Sequence, residues 1–210
     1  KNFCIPDTSE RNSKFFRPCA DILKPTARSL SALFLLLSFD ENPINKVYMN
    51  AAQNGDELFD VVDENDRVIG QDTRDAVHAQ GLYHRAVHVI VENPEAQVLM
   101  QRRSLLKDSS PGKWTSSCSG HVDAGENYEE AVLREIPEEI GLTVKREDLE
   151  KIASHGPCEA TGQEFIYLYR CISSSEPTPA PEEVAELRWM KPQEVDQLLR
   201  FERESCSPAF

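Results

Sequence analysis

The chain has 210 residues and a formal net charge of −13, with 40% hydrophobic and 28% charged residues. This length and composition predict one globular domain of ordinary size with some additional sequence, and they exclude a chain that is disordered throughout. The acidic balance argues against a nucleic-acid partner, because such interfaces need clustered lysine and arginine. A phosphate-bearing ligand would need a cation or a local basic pocket to be held.

Residues 1–48 differ in composition from the rest of the chain. They mix Pro, Ser and Asn with one short apolar run, residues 30–39, which follows Lys24 and Arg28. Such a run resembles the core of a signal peptide, but no small-residue cleavage site follows it cleanly. It is also shorter than the ~18 residues that a membrane span requires. We interpret residues 1–48 as a leader or poorly structured extension and expect the functional domain to begin near Met49.

A regular pattern of short apolar segments starts at about residue 57. Alternating or continuous apolar residues of this length are typical of strands. The tetrapeptide at 63–66 (Asp-Glu-Asn-Asp) has the composition of a hairpin turn between the first two predicted strands, 58–62 and 67–69. The predicted strands cover residues 58–62, 67–69, 84–91, 98–102, 114–118, 165–172 and 184–190.

Two segments have the signals of helices. The first is predicted over residues 128–140, with Asn127 as the N-cap, Glu130 at the capping-box position and Gly141 as the C-terminal stop. The second starts after Pro192 and carries its apolar residues on one face. Strands on both sides of a helix predict an α/β sandwich.

The six cysteines are scattered along the chain without any C-x-x-C pair. This spacing predicts neither a zinc site nor a tight disulfide framework. Free thiols in a reducing cytosol are the better interpretation, and we therefore expect a cytoplasmic protein. The cysteines are Cys4, Cys19, Cys118, Cys158, Cys171 and Cys206.

Three glutamates on the first predicted helix carry the main chemical signal. Glu135, Glu138 and Glu139 stand at positions i, i+3 and i+4, so their carboxylates share one helix face. Like charges placed in this way repel each other and raise each other's pKa values. A divalent cation that prefers oxygen ligands, such as Mg²⁺, removes that repulsion. The alternative is a solvated acidic helix face without any metal.

The sequence around these glutamates resembles the Nudix box, G-x5-E-x7-R-E-U-x-E-E-x-G-U, in which U is a bulky aliphatic residue. Residues 120–142 read GHVDAGENYEEAVLREIPEEIGL and match it at every fixed position. The resemblance implies an α/β class fold, a Nudix-type α/β/α sandwich with a mixed β-sheet, in which a loop–helix–loop binds Mg²⁺ or Mn²⁺ on a substrate diphosphate. It also implies a Nudix domain over residues 49–204, with residues 205–210 as a C-terminal tail.

The resemblance assigns roles to individual residues. Glu138 and Glu139 are implied to be metal ligands, and Glu135 a ligand or an orienter of the attacking water. Gly120 would contribute its backbone carbonyl. Glu164, which opens the strand after Thr161-Gly162-Gln163, is a candidate for an additional metal ligand or the catalytic base.

Two further residues of the box concern the helix itself. Arg134 is expected to pair with a carboxylate of the box, Glu126, and so to brace the helix. Pro137 occupies a variable position well inside the helix, where proline typically costs about 3 kcal/mol. A kink at this position would move Glu138 and Glu139 relative to Glu135 and reduce activity.

The wider sequence resembles the Nudix branch that contains type I isopentenyl-diphosphate isomerase. The similarity runs through residues 101–107 (QRRSLLK), 111–115 (PGKWT) and the Gly120-His121 pair. Matching basic residues hold the diphosphate in that enzyme, and guanidinium and ammonium groups suit this task. The candidate substrate-binding residues are Arg74, Arg102, Arg103 and Lys107.

The isomerase resemblance also implies a second metal site. Residues like His78, His84, His121 and Glu164 supply the tight metal site of the isomerase. The first two histidines are six residues apart here but seven apart in the isomerase, so their correspondence is loose. A lone histidine is more often structural, which is the alternative for each of them.

Three departures favour a hydrolase over an isomerase. The essential cysteine of the isomerase directly precedes the Gly-His pair, where this chain has Ser119. Cys118 lies one residue earlier and should face the opposite side of its strand. The isomerase has a basic residue where this chain has Glu135. No counterpart of its tryptophan-bearing C-terminal segment follows Phe201.

The sequence therefore predicts Mg²⁺- or Mn²⁺-dependent hydrolysis of a diphosphate linkage in a small organic substrate, with no nucleic-acid or membrane partner. The alternatives are an isopentenyl-diphosphate isomerase-like enzyme and a catalytically weak module that binds diphosphates. The substrate and the oligomeric state stay open at this point, because substrate choice depends on loops outside the box.

Overall fold

The computed structural model describes residues 54–210. The interpretation of residues 1–48 as a leader and the expected start near Met49 lie outside these described residues. The strands are β1 (Leu58–Val62), β2 (Val68–Thr73), β3 (His84–Glu92), β4 (Val98–Arg103), β5 (Trp114–Thr115), β6 (Cys118–His121), β7 (Glu150–His155), β8 (Glu164–Ile172) and β9 (Val184–Met190). The α-helices are α1 (Arg74–Gln80), α2 (Tyr128–Ile140) and α3 (Pro192–Phe201).

The strands form one large mixed sheet and one small hairpin sheet. The seven-stranded sheet has the order β5-β4-β3-β8-β7, with β6 paired to β3 and β9 paired to β4. The β3–β8 pair is parallel, whereas the other pairs are antiparallel. Strands β1 and β2 form a separate antiparallel hairpin. The mixed sheet and the helices confirm the predicted α/β class.

Two apolar clusters show how the helices cover the sheet. Val89 of β3 and Leu99 of β4 pack with Ile136 of α2 in the larger cluster. Met100, the next residue of β4, belongs to a second cluster with Leu198 of α3. Because successive side chains of a strand point to opposite faces, α2 and α3 lie on opposite faces of the sheet. This arrangement is the α/β/α sandwich that the motif implied.

Helix α2 begins and ends where its local sequence predicts. The side chain of Asn127 accepts hydrogen bonds from the backbone amides of Glu129 and Glu130, and Glu130 completes the capping box. Gly141 ends the helix in the left-handed conformation. The helix continues through Pro137, which is exposed to solvent. The helix is therefore continuous across this proline.

The predicted strand over residues 114–118 is wrong, because the structure divides it into β5 and β6. Strand β5 pairs with β4, whereas β6 pairs with β3. The hydroxyl of Ser117 explains the division. It accepts a hydrogen bond from the amide of Val91 on β3 and donates one to the carbonyl of Leu99 on β4. Ser117 thus joins two strands that pair directly with each other only at Glu92 and Val98.

Helix α1 and strand β7 have no counterpart among the elements predicted from the sequence. Helix α1 is short, with Thr73 as its N-cap and Gly81 as its left-handed C-cap. Strand β7 pairs with β8 at the edge of the sheet. In residues 205–210, which the sequence analysis treats as a C-terminal tail, the amide of Ser207 donates to the carbonyl of Trp114 on β5 at 2.8 Å.

Four of the six cysteines lie in the described part of the chain, and all four are free thiols. These are Cys118, Cys158, Cys171 and Cys206. Cys4 and Cys19 lie outside it. Among the helices of residues 54–210, none combines the length and the apolar character needed to cross a membrane.

Candidate active site

A cleft of about 620 Å³ opens where β3 and β4 diverge. Its walls come from α1, β3, β6, α2, the start of β8, the segment after β4 and the C-terminal residues. Cleft residues that the sequence singled out are Arg74, His78, Arg103, Lys107, Gly120, His121, Glu135, Glu138, Glu139 and Glu164. Residues from distant parts of the chain therefore meet in one cavity.

The glutamates of α2 form the acidic wall of this cleft. Glu139 is buried, and one of its oxygens accepts hydrogen bonds from Gln101 Nε2 at 2.9 Å and from the amide of Ser119 at 3.2 Å. Burial raises the pKa of this carboxyl. Glu138 is more exposed and stands at the mouth. The three carboxylates share the face that their spacing predicted.

Glu135 lies directly against the backbone of Gly120. A Cβ atom built on Gly120 would stand 2.0 Å from Glu135 Oε1, so any larger residue here would push the carboxylate away. Burial, followed by the charge of Glu139, raises the pKa of Glu135 to about 8. Two adjacent carboxylates removed from water are what a bound cation would stabilise.

Arg134 braces the acidic wall. Its guanidinium donates to both carboxylate oxygens of Glu126, at 3.2 and 2.9 Å, as the sequence analysis expected. It also donates to Glu135 at 2.6 Å and to Glu138 at 3.4 Å. A further bond of 2.9 Å reaches the backbone carbonyl of His121. One side chain therefore links α2 to the loop before it and to β6.

A cluster of histidines forms a second group of metal-ligating side chains. The ring nitrogens of His78, His84 and His121 lie within 4.8 Å of one another. Glu164 Oε1 is 3.3 Å from His121 Nε2 and 3.8 Å from His84 Nε2. The spacing of six residues between the first two histidines is accommodated because α1 carries His78 and β3 carries His84.

The protonation of this cluster suits metal binding. Burial, reinforced by the charge of His121, lowers the pKa of His84 to about 4, and burial likewise lowers the pKa of His121. Neutral imidazoles are the form that binds metals. The Nδ1 atom of His84 is 2.9 Å from the carbonyl of Leu82, which orients the ring. Its Nε2 atom is buried and has no hydrogen-bond partner. An orphaned nitrogen facing two other histidines fits a cation.

Three basic residues also line the cleft, and each has a partner. Arg74 Nη2 is 2.7 Å from Asp108, and Arg103 donates to the carbonyl of Ser109 at 2.9 Å. The ammonium group of Lys107 pairs with Glu183. These groups supply positive charge within a cleft whose lining is otherwise rich in carboxylates.

Arg102 is a correction to the sequence analysis, because it does not line the cleft. Its guanidinium donates to the carbonyl of Gly112 at 2.9 Å and lies 3.7 Å from Glu186 on β9. The register of β4 against β9 shifts between the two arginines, and only one of them lines the cavity. That residue is Arg103.

The sequence analysis missed His88, which lies on β3 in the wall of the cleft. It is only 7% exposed, and its Nδ1 is 2.8 Å from Ser116 Oγ. The alternation along β3 was a signal for it. His84, Ala86 and His88 follow each other at every second position, whereas Val87 and Val89 face the core.

Comparison with known proteins decides the family. The NUDIX domain model matches residues 82–210. The chain belongs to the Nudix family. An uncharacterized Nudix hydrolase from Yersinia pestis is 36% identical over 146 residues, which cover 66% of this chain and 75% of that protein. An isopentenyl-diphosphate Delta-isomerase from Serratia proteamaculans is 32% identical over 142 residues, which cover 67% of this chain and 79% of the isomerase.

A solved Nudix-like fold agrees with these relatives. The crystal structure of DR0079 from Deinococcus radiodurans is similar with a TM-score of 0.60 and 28% identity, over 72% of this chain and 92% of that one. Relatives of this Nudix protein thus carry both hydrolase and isomerase names. The predicted branch, which resembles type I isopentenyl-diphosphate isomerase, is confirmed.

The residues around the Gly-His pair distinguish this Nudix chain from the isomerase pattern. Ser119 lines the cleft where that pattern has cysteine. The thiol of Cys118 is fully buried in the core cluster below α2. Burial raises the pKa of this thiol well above its usual value. The two side chains face opposite sides of β6, as the sequence predicted.

Proposed function

We propose that this protein hydrolyses a diphosphate linkage of a small organic substrate with the help of a divalent cation. The observation that carries the proposal is that Glu135, Glu138 and Glu139 line the same cleft as several basic residues. In the reaction, water adds to one phosphorus, the bridging P–O bond breaks and two phosphate products leave. Such catalysis depends mainly on placement and electrostatics.

The donor atoms of the acidic wall fit Mg²⁺ or Mn²⁺, which prefer oxygen ligands. We assign the ligand role to the carboxylates of Glu135, Glu138 and Glu139 and to the carbonyl of Gly120. When bound, such a cation neutralises phosphate charge and lowers the pKa of a water molecule. The pKa of Glu135 is raised by burial and by the charge of Glu139, and a bound cation would stabilise the ionised form of both carboxylates.

The chain's own residues have three tasks in this proposal. Arg74, Arg103 and Lys107 hold phosphate oxygens, exchanging their present partners for the more highly charged diphosphate. Arg134 and the Gln101 amide keep the carboxylates oriented. Glu164 is a candidate base, because burial raises its pKa and makes it a better proton acceptor.

Isomerisation of isopentenyl diphosphate is the second candidate. The cluster of His78, His84, His121 and Glu164 favours it, since the isomerase pattern has a metal site of this composition. Ser119 and the acidic Glu135 argue against it. A serine hydroxyl is a far weaker acid than a cysteine thiol, so near neutral pH it neither gives up its proton readily nor provides an anion that could accept one.

Two assays test these candidates directly. We expect ³¹P NMR to show loss of the P–O–P signal from at least one member of a diphosphate panel with Mg²⁺, and no loss with EDTA. We expect ¹H NMR of isopentenyl diphosphate to show no double-bond shift. A measurable shift without hydrolysis would favour the isomerase.

A catalytically weak binding module is the third candidate, and it rests on Pro137 alone. A diphosphate that raises the melting temperature in an Mg²⁺-dependent way, with no panel member hydrolysed, would support it. The helix runs through Pro137 to Gly141, and the three glutamates line the cleft. These observations favour turnover.

A further inference from the structure

Glu183 is a cleft residue to which the proposed function gives no task. It lies directly before β9, lines the cleft, and pairs with the ammonium group of Lys107. The side chains of Glu183 and Lys107 are only 23% and 15% exposed. Because water and salt screen such a pair less than a pair on the surface, each partner holds the other more firmly than in an exposed ion pair.

The backbone around Glu183 is tied to α2 and to the segment after β4. The amide of Ala180 donates to the carbonyl of Glu139 at 2.9 Å, in the last turn of α2, where helix carbonyls have no partner within the helix. The amide of Glu183 donates to the carbonyl of Ala180 at 3.0 Å, and its carbonyl accepts from the amide of Ser104 at 2.9 Å. The carboxylate of Glu183 therefore extends from a backbone that is fixed between α2 and the segment that carries Lys107.

The charges of this ion pair act on the acidic wall. Burial raises the pKa of Glu139, the positive charge of Lys107 lowers it, and the negative charge of Glu183 raises it. Lys107 and Glu183 therefore lie close enough to Glu139 for the three charges to interact. An anion that takes Lys107 away from Glu183 leaves an unpaired carboxylate beside it, and the two negative charges repel each other.

We propose that Glu183 is an internal competitor of the diphosphate for Lys107. The ammonium group serves Glu183 until a phosphate oxygen displaces that carboxylate. The contact is autoinhibitory, since it lowers the affinity of the cleft for every ligand that uses Lys107. The inference rests on the phosphate-binding role that the proposed function gives to Lys107, and it adds the residue that sets the affinity.

Binding of imidodiphosphate, whose P–N–P bridge resists hydrolysis, tests this inference in the presence of Mg²⁺. Glu183→Gln removes the competing charge and keeps nearly the same shape. We expect isothermal titration to show about fivefold tighter binding to this variant than to the wild type, because a partly buried ion pair is worth about this factor. Glu182→Gln is the matched control, since Glu182 is exposed and lies outside the cleft, and it should leave the affinity unchanged.

Removal of Lys107 separates competition from simple charge repulsion. In a Lys107→Met background Glu183 has no ammonium group to compete for, and only its repulsion of the anion remains. Glu183→Gln should then tighten binding by at most about twofold. An equal gain in both backgrounds would mean that Glu183 acts by its charge alone, which overturns the inference. Weaker binding to Glu183→Gln than to the wild type, as a purely structural role predicts, overturns it too. If the background variant binds too weakly to measure, the comparison of Glu183→Gln with the wild type decides.

Steady-state kinetics distinguish this inference from the proposed function. With the best diphosphate substrate and Mg²⁺, Glu183→Gln should lower KM about fivefold without raising kcat, since the displaced carboxylate takes no part in the chemistry. A KM that stays the same or rises overturns the inference alone. If neither protein hydrolyses any diphosphate, the proposed function fails, and the imidodiphosphate titrations decide the inference by themselves. Absence of imidodiphosphate binding to both proteins would overturn it.

Discussion

Two groups of side chains that could bind metal ions lie at one cleft, and they are built in different ways. The carboxylates of Glu135, Glu138 and Glu139 come from one turn of α2. The histidine cluster combines α1, β3 and β6, with Glu164 added from β8. The first group offers oxygen atoms and suits Mg²⁺, whereas the second offers mainly imidazole nitrogen and suits transition metals. A local group can be recognised from spacing, but a group assembled from four elements depends on the fold.

The contacts around the two groups also differ. Glu135, Glu138 and Glu139 receive hydrogen bonds from Arg134, Gln101 and the amide of Ser119. The His84 Nε2 atom receives none. The acidic wall is thus held in place by the protein's own contacts, whereas one buried nitrogen of the histidine cluster has no partner within the protein. The difference predicts separate tasks, with hydrolysis at the carboxylates and a tightly held ion at the histidines.

The largest expected effect comes from Glu138→Gln. This change removes one anionic ligand at the mouth of the cleft with little loss of packing, because the side chain is 59% exposed. We expect hydrolysis of the best diphosphate substrate to fall at least about 100-fold, as measured by kcat. Glu129→Gln on the same helix is the control, since Glu129 pairs with Arg146 outside the cleft. Unchanged turnover in Glu138→Gln would refute the role of Glu138.

A smaller effect on turnover is expected from His84→Gln. The variant should lose about one equivalent of bound Zn²⁺ or Mn²⁺ in elemental analysis, because the buried ring is central to the cluster. Its Mg²⁺-dependent hydrolysis should fall less than about tenfold. His155→Gln is the matched control on β7. A loss of hydrolysis as large as that of Glu138→Gln would mean that the two groups act as one site.

Arg134→Gln tests the side chain that connects the two groups. Arg134 contacts Glu135 on one side and the carbonyl of His121 on the other. Its loss leaves buried carboxylates without their partner, so the free energy of unfolding should fall by about 2 to 3 kcal/mol in urea. Arg146→Gln removes an exposed ion pair and should cost less than about 1 kcal/mol. Equal effects of the two changes would contradict the bracing role.

The smallest effect is expected from Glu92→Gln, far from both groups. Arg170 donates to both oxygens of Glu92, at 2.8 and 2.7 Å, and these bonds lower the pKa of Glu92 below 4.5. The folded state therefore binds this proton less readily than the unfolded state. The contribution, about 1 kcal/mol, should be present above pH 4.5 and lost as the pH falls through the folded-state pKa. Urea unfolding of both proteins at pH 7 and pH 3.5 measures it, and a pH-independent difference would contradict it.

The sequence predicted the local features of the cleft well. Asn127, Glu130 and Gly141 fixed the bounds of α2, because capping depends on neighbouring residues. The spacing of the three glutamates predicted a shared face, and the pairing of Arg134 with Glu126 was expected from the resemblance to the Nudix box. Cys118 was correctly placed on the opposite side of β6 from Ser119, since strand side chains alternate.

The long-range features could not be predicted in the same way. The segment 114–118 looks like one strand, and only the separation of β3 and β4 makes Ser117 the link between two. Arg102 and Arg103 look equivalent until the sheet places one of them outside the cleft. Helix α1 is short, and its signals, Thr73 and Gly81, are common in turns.

By itself, the sequence determined the family, the class of the fold and the acidic helix face, because these depend on residues within one helical turn or on strand alternation. The tertiary structure alone decided that Arg103 rather than Arg102 lines the cleft and that His88 lies in its wall. These features arise where separate strands are brought side by side, and the pairing of distant strands depends on packing that no short segment encodes.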